Sequence, residues 1–406
     1  MFSKRAWLVV SLFLIMALVL TACGKTAATA TSEATCGADE FCIGILLVGP
    51  ASDGGWSQAT YEGVKYVVDH IEKSAFLYAE NVFSDPNTTV AQYAENLLSR
   101  GAKVIIFNSD SMKDGVIEFS AKHPDVPVIF LSGDFAWKEG KNYDASMKME
   151  SDIMGQIEYG KMMAGCAAAL TTKTGKIGFL GPLTNDETRR LANAAYLGAN
   201  YCWKNVLGNT TALDFKVVWI GNWFNIPGTT LDPTQVADDF FNNNYDVVIS
   251  GIDSTEAVTE AKKYQDQGKE VFAVQYDYEN ACDGAPKACL GVPYFNWGVM
   301  MLPVIQSVKD GTYERSFTWG APYWANINDP DKSAVGFKKS DGLTADAAAK
   351  LDAFIAELAG GLNLWTGPIN YQDGTVYLAD GVVATDQEIW YMPQLLEGMT
   401  GESVSK

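Results

Sequence analysis

Histidine is nearly missing from this chain: His70 and His123 are the only two among 406 residues. His70 falls in a helical stretch and His123 stands before Pro124 at a helix end, so both read as surface or boundary residues rather than general bases. No two cysteines have C-x-x-C spacing, which with so little histidine excludes an ordinary zinc site. There is no G-x-S-x-G elbow and no H-E-x-x-H. Gly155 to Lys161 spells G-x-x-x-x-G-K, but Met162 stands where a phosphate loop needs Ser or Thr, and the stretch reads as helix with no strand before it. Positive charge is also short: 30 Lys and Arg against 49 Asp and Glu give a net −19. An acidic surface repels phosphate backbones, so no nucleic-acid partner is expected. No cofactor, metal or catalytic centre is expected either. After the first twenty residues, no apolar run has the length of a membrane span.

The start of the chain is different. Lys4 and Arg5 precede an apolar run from Trp7 to Leu20, followed by Leu20-Thr21-Ala22-Cys23. This resembles a bacterial lipobox, which implies a signal peptide over 1–22 and lipidation of Cys23. Cleavage removes Lys4 and Arg5 and no acid, taking the charge from −19 to −21. Residues 23–40 are small and polar and read as a flexible tether. The chain is therefore expected outside the cytoplasm, anchored to the cell membrane by its N-terminal lipid. Export permits disulfides. Cys36 with Cys42 and Cys282 with Cys289 are expected short-range pairs, while Cys166 and Cys202 fit a buried pair or two inert thiols equally well.

From residue 41, short apolar runs alternate with helical stretches. Phe41–Val48, Ala75–Val82, Val104–Phe107 and Val128–Leu131 suit buried parallel strands. The alternation restarts at Tyr143–Met149, with a helix expected from Ile153, and continues through Val271–Gln275. Such a pattern predicts α/β architecture with two doubly wound lobes. The expected boundaries are 41–148 for the first part of lobe 1, 149–277 for lobe 2, 278–320 for a segment returning to lobe 1, and 321–406 for a tail over one lobe and the hinge.

In open α/β sheets, ligands bind beyond the carboxyl ends of the strands. Asp53-Gly54-Gly55-Trp56 follows the first expected strand, with glycines that let backbone approach a ligand and a ring to stack on one. The alternative there is a plain turn capped by Asp53 with Trp56 in the core. Asn108 to Ser111, Trp223-Phe224, Asp253-Ser254 and Tyr276-Asp277 end other expected strands. Each alone is ordinary cap chemistry; together they supply rings and acceptors to the mouths of two sheets. Scarce arginine and plentiful carboxylates suit a planar ligand with hydroxyl or amino donors, and suit a phosphorylated one poorly.

Those residues also carry a resemblance. Val48-Gly49-Pro50 through Trp56, Gly160 to Gly165, Lys173 to Phe179, Asn222-Trp223-Phe224, Asp253-Ser254, Asn296-Trp297-Gly298 and Trp365-Thr366-Gly367-Pro368-Ile369 with Asp373-Gly374 are similar to the basic membrane protein family of substrate-binding lipoproteins for ABC transporters. The resemblance implies a type I periplasmic-binding fold, two lobes joined by a crossing-strand hinge. It implies capture of a purine nucleoside or base for a permease, without enzymatic turnover. On this basis the base would stack on Trp56 and on Trp223 or Phe224. Asn108 and Asp110 would read its edge, and Asp253 and Asp277 would hold ribose hydroxyls. Asp53, Gly54 and Trp297 complete the expected ligand-binding set. The rival expectation is a sugar or signalling-molecule receptor of the same fold, feeding a sensor kinase.

Overall fold

The computed structural model describes residues 35–403. The signal peptide, the lipidation site Cys23 and most of the tether lie outside these residues.

Six parallel strands form the first sheet: β1 (Phe41–Leu46), β2 (Ser74–Ala79), β3 (Val104–Phe107), β4 (Val128–Leu131), β5 (Glu150–Gly155) and β11 (Phe317–Gly320), in the order β2-β1-β3-β4-β5-β11. β3 and β4 are buried along their whole length, as befits strands covered on both faces by helices. The second sheet is also all parallel. It contains β6 (Lys176–Gly181), β7 (Asp214–Trp219), β8 (Val247–Ser250), β9 (Phe272–Val274) and β15 (Met399–Thr400), ordered β15-β7-β6-β8-β9. Both orders turn back on themselves, at β1/β3 and at β6/β8, and these reversals are where open α/β sheets leave a crevice.

Two features depart from the sequence reading. Strand β5 occupies Glu150–Gly155, beyond the expected boundary at 148, and pairs with β4 in the first sheet. The helix expected from Ile153 instead begins at Ile157. The pattern was obscured because Glu150, Ser151 and Asp152 are polar yet fully buried. The stretch Gly155–Lys161 therefore does follow a strand, contrary to expectation, but a single residue, Gln156, separates that strand from the helix. No loop is left to cradle a phosphate, and Lys161 lies within the helix.

The chain crosses between the sheets several times. After β9, the antiparallel pair β10 (Gly291–Phe295) and β12 (Val335–Lys339) bridges back towards the first sheet. Helix α8 (Trp297–Lys309) then packs on α1 (Trp56–His70), and β11 joins β5. In the second lobe, α4 (Ile157–Thr171) and α5 (Asp186–Tyr201) pack at unusually close range. A β-carbon on Gly165 would stand 1.8 Å from the Ala195 carbonyl oxygen, and one on Gly198 2.0 Å from that of Met162. Disulfide Cys166–Cys202 ties the same pair, and Cys36–Cys42 and Cys282–Cys289 are also bonded. Beyond residue 341 comes α9 (Ala345–Ala359), which buries Leu351, Phe354 and Leu358 against α4 at i, i+3, i+7 spacing. The short helix α10 (Asp386–Trp390) places Trp390 and Tyr391 in the core of the first lobe.

Candidate ligand-binding cleft

Where the two sheets' carboxyl ends face each other, a small cavity is lined by Trp56, Ser109, Asp110 and Ser132 from one side. Glu187, Trp223, Asp253 and Tyr276 line the other side. Each of these eight follows the end of a strand: β1, β3 and β4 in the first sheet, and β6, β7, β8 and β9 in the second. The parallel connectivity gathers them, because every βα turn of a parallel sheet emerges on the same edge.

The lobes meet tightly here. A β-carbon at Gly55 would lie 1.9 Å from the Asp253 carbonyl oxygen. Across the same gap the Trp223 indole N–H donates to the Ser111 hydroxyl at 3.2 Å. The Asp253 backbone N–H donates to the Trp223 carbonyl at 3.0 Å, linking two of the second-lobe loops. The space left open to the centre of a water molecule is about 10 Å³, the room of roughly one water. Entry of a ligand the size of a base therefore requires the loops to separate.

Trp56 stands at the boundary between cavity and core. It lines the cavity, and it is also 6 % exposed, edge-on to Phe295 at 5.3 Å and to Trp297 at 5.1 Å. Its indole N–H donates to the Asn108 carbonyl. Asp110, Trp223 and Asp253 share the cavity with it.

The other expected residues sit around this group. Asp53 spends its carboxylate on the start of α1, accepting from the backbone N–H groups of Gly55, Ser57 and Gln58. Gly54 adopts φ +74°, where glycine is unstrained, beside Thr255 of the other lobe. The Asn108 side-chain oxygen accepts from the Val48 N–H at 2.9 Å, while its buried Nδ2 has no partner. Phe224 reaches from the second lobe onto the core of the first. Trp297 is stacked on Phe295 behind Trp56 and lines a separate groove. Asp277 is fully buried, with both carboxylate oxygens lacking a hydrogen-bond partner.

Sequence reasoning missed Ser132, Glu187 and Lys161, and mentioned Tyr276 only as a neighbour of Asp277. Lys161 was readable as a lone cation in an apolar helix. It is fully buried, donates to the Ser250 carbonyl at 2.7 Å and stands 3.2 Å from the centroid of the Tyr276 ring. Burial lowers its pKa to about 7, opposed by the nearby charges of Asp277, Asp253 and Glu187.

The acids shift the other way. Burial, reinforced by the charge of Asp277, holds the Asp253 carboxyl well above the usual range. Burial does the same to Asp277 against the pull of Lys161. Burial raises Glu187 to about 7 and also raises Asp110. Burial thus favours the protonated form of these carboxyls, in which each could donate as well as accept. With two indole rings beside them, the cleft suits a flat, polar molecule.

The family model described as ABC transporter substrate-binding protein, PnrA-like, matches residues 42–341. A purine-binding protein of Brucella abortus is 27 % identical over 365 residues, covering 88 % of this chain and 92 % of that protein. Among solved structures, an ABC transporter solute-binding protein of Aeropyrum pernix superposes with TM-score 0.62 at 11 % identity. That superposition covers 86 % of this chain and 95 % of the other. One from Conexibacter woesei gives 0.56 at 13 % identity, covering 80 % and 98 %. The last two relationships show the fold alone, that of type I periplasmic solute-binding proteins.

Proposed function

We propose that this chain, which belongs to the Bmp family of PnrA-like ABC transporter substrate-binding proteins, captures a purine nucleoside or nucleobase between its two lobes and hands it to a membrane permease. Proteins of this family bind substrate for transporters outside the cytoplasm, and the chain is not an enzyme. Lipid at Cys23 would hold it near that permease.

One observation carries the purine reading: Trp56 and Trp223 come from opposite lobes to the same cavity, beside the carboxyl groups of Asp110, Asp253 and Glu187. An indole supplies a π-face for a base, and the carboxyls, whose protonated form burial favours, supply acceptors and, where protonated, donors. The relative from Brucella abortus, named as purine-binding, supports the same choice. Capture is then a shift in population. The open form admits ligand, and contacts to both lobes favour the closed form by their difference in affinity between the two.

Calorimetric titration with adenosine, guanosine, adenine, ribose and inositol tests this reading. Saturable binding of at least one purine, with no heat from the sugars, is the expected result. Tight ribose or inositol binding without purine binding would refute it.

A further inference from the structure

Beside the inner cavity lies a larger chamber that shares Asp110, Ser132 and Glu187 with it. The chamber's far side is not built by either sheet's strand ends. Trp390 and Tyr391 line it there, and they lie beyond residues 42–341, the part matched by the family. Lys113, Asp134 and Asn142 face it from the first lobe, and Asn185, Asp186 and Arg190 from the second. Arg190 is 1 % exposed and its Nη2 has no partner.

The segment around those two aromatic residues is fastened to both lobes. On the first lobe, the Tyr391 hydroxyl donates to Asp134 at 2.5 Å and accepts from the Lys141 backbone N–H at 2.6 Å. Its ring lies parallel to that of Trp137, 5.8 Å away, and the Gln387 side chain donates to the Glu139 carbonyl. From the second lobe, Arg190 donates to the Trp390 carbonyl at 3.2 Å and places its guanidinium 4.4 Å from the Trp390 ring. Arg189 donates to the Met392 carbonyl at 2.7 Å. Glu158 pairs with Arg190 and fixes its direction. Thr385 starts the segment with a reciprocal capping box to Glu388, so its geometry is set locally.

We infer that residues 385–392 form a third wall of the cleft, which limits how far a ligand extends past the inner cavity and positions its polar end. This rests on the purine reading for the identity of the ligand. Once the loops separate to admit it, the base lies between the indoles, and whatever the base carries enters the chamber against Tyr391 and Arg190. A substituent-bearing purine therefore depends on the wall, and a bare base does not. Because the same residues hold both lobes, the wall also restrains their separation.

The test compares adenine and adenosine binding by calorimetry for the full chain and its Tyr391→Ala and Tyr391→Phe variants, with small-angle scattering of each without ligand. Losing contacts to a charged partner and the ring wall should weaken adenosine binding about ten-fold in the alanine variant and adenine binding far less. Tyr391→Phe keeps the ring and loses the hydroxyl bonds, so it should show a smaller change in the same direction. A ratio of adenosine to adenine affinity that stays constant across the three proteins overturns the wall. Should the unaltered chain bind neither purine, the functional reading fails instead. The scattering then decides separately: a larger ligand-free radius in Tyr391→Ala supports the restraint, and an unchanged radius overturns it.

Discussion

Gly55 and Asp253 meet across the cleft with no room for a side chain, since a β-carbon on Gly55 would stand 1.9 Å from the Asp253 carbonyl oxygen. Gly55 precedes α1 in the first lobe, and Asp253 follows β8 in the second. Their contact marks how near the lobes approach. Gly55→Ala should hold the loops apart and lower ligand affinity at least about ten-fold, the loss expected when about 1.4 kcal/mol of closed-state contacts is forfeited. Scattering should show a larger ligand-bound radius than in the unaltered chain. Unchanged affinity would mean that this contact forms no part of the bound state.

Trp56 combines stacking surface with packing against Phe295 and Trp297. Base stacking is worth roughly 1–3 kcal/mol by alanine substitution, so Trp56→Ala should weaken purine binding by about one to two powers of ten. It should also lower Tm, because a large buried side chain is lost. Trp56→Phe separates the two effects. It keeps a ring in the core and drops the indole donor to the Asn108 carbonyl, so affinity should recover further than Tm falls. Titration and thermal melts on both variants check this.

Glu187 makes stability depend on pH. Its carboxyl titrates near 7 when folded because it is buried, against about 4.3 in an unfolded chain. Between those values the folded state holds a proton that the unfolded state has lost. The stabilisation is thus fully present below about pH 4 and disappears as pH rises through 7. Glu187→Gln should flatten the fall in Tm of the ligand-free chain across that window and leave it more stable than the parent above pH 7. Parallel pH profiles for the two proteins would contradict the assignment.

Cys166–Cys202 closes a loop with a sequence separation of 36 and joins α4 to the end of α5. A loop of that length contributes about 4 kcal/mol in the chain-entropy account. The double variant Cys166→Ala/Cys202→Ala should show a corresponding loss in denaturant unfolding. Purine affinity should hold, since neither residue lines the cavity.

Much of the fold was readable because most strands are apolar runs ending in turn residues, such as Val104–Phe107 and Val128–Leu131. Strand β5 was not, because three consecutive polar residues, Glu150, Ser151 and Asp152, are buried within it. A period-based reading treats such residues as surface, and only the partner strands reveal otherwise. In the cleft, the rule that ligands gather at strand ends located Trp56, Asp110, Trp223 and Asp253. It passed over Ser132 and Glu187, whose types are common in turns and first helical turns and carry no local mark. Asp53 and Trp297, also expected to bind ligand, do not line the inner cavity: Asp53 caps α1 and Trp297 packs against Trp56. Trp390 and Tyr391 lie far along the chain from any of these, and their arrival at the cleft depends on the path of the whole tail.

A crystal structure of the chain grown with adenosine should show the base between the rings of Trp56 and Trp223, its edge within hydrogen-bonding distance of Asp110 or Asp253, and the remainder directed towards Tyr391. Adenosine bound to one lobe alone, or at a surface remote from these strand ends, would contradict capture between the lobes.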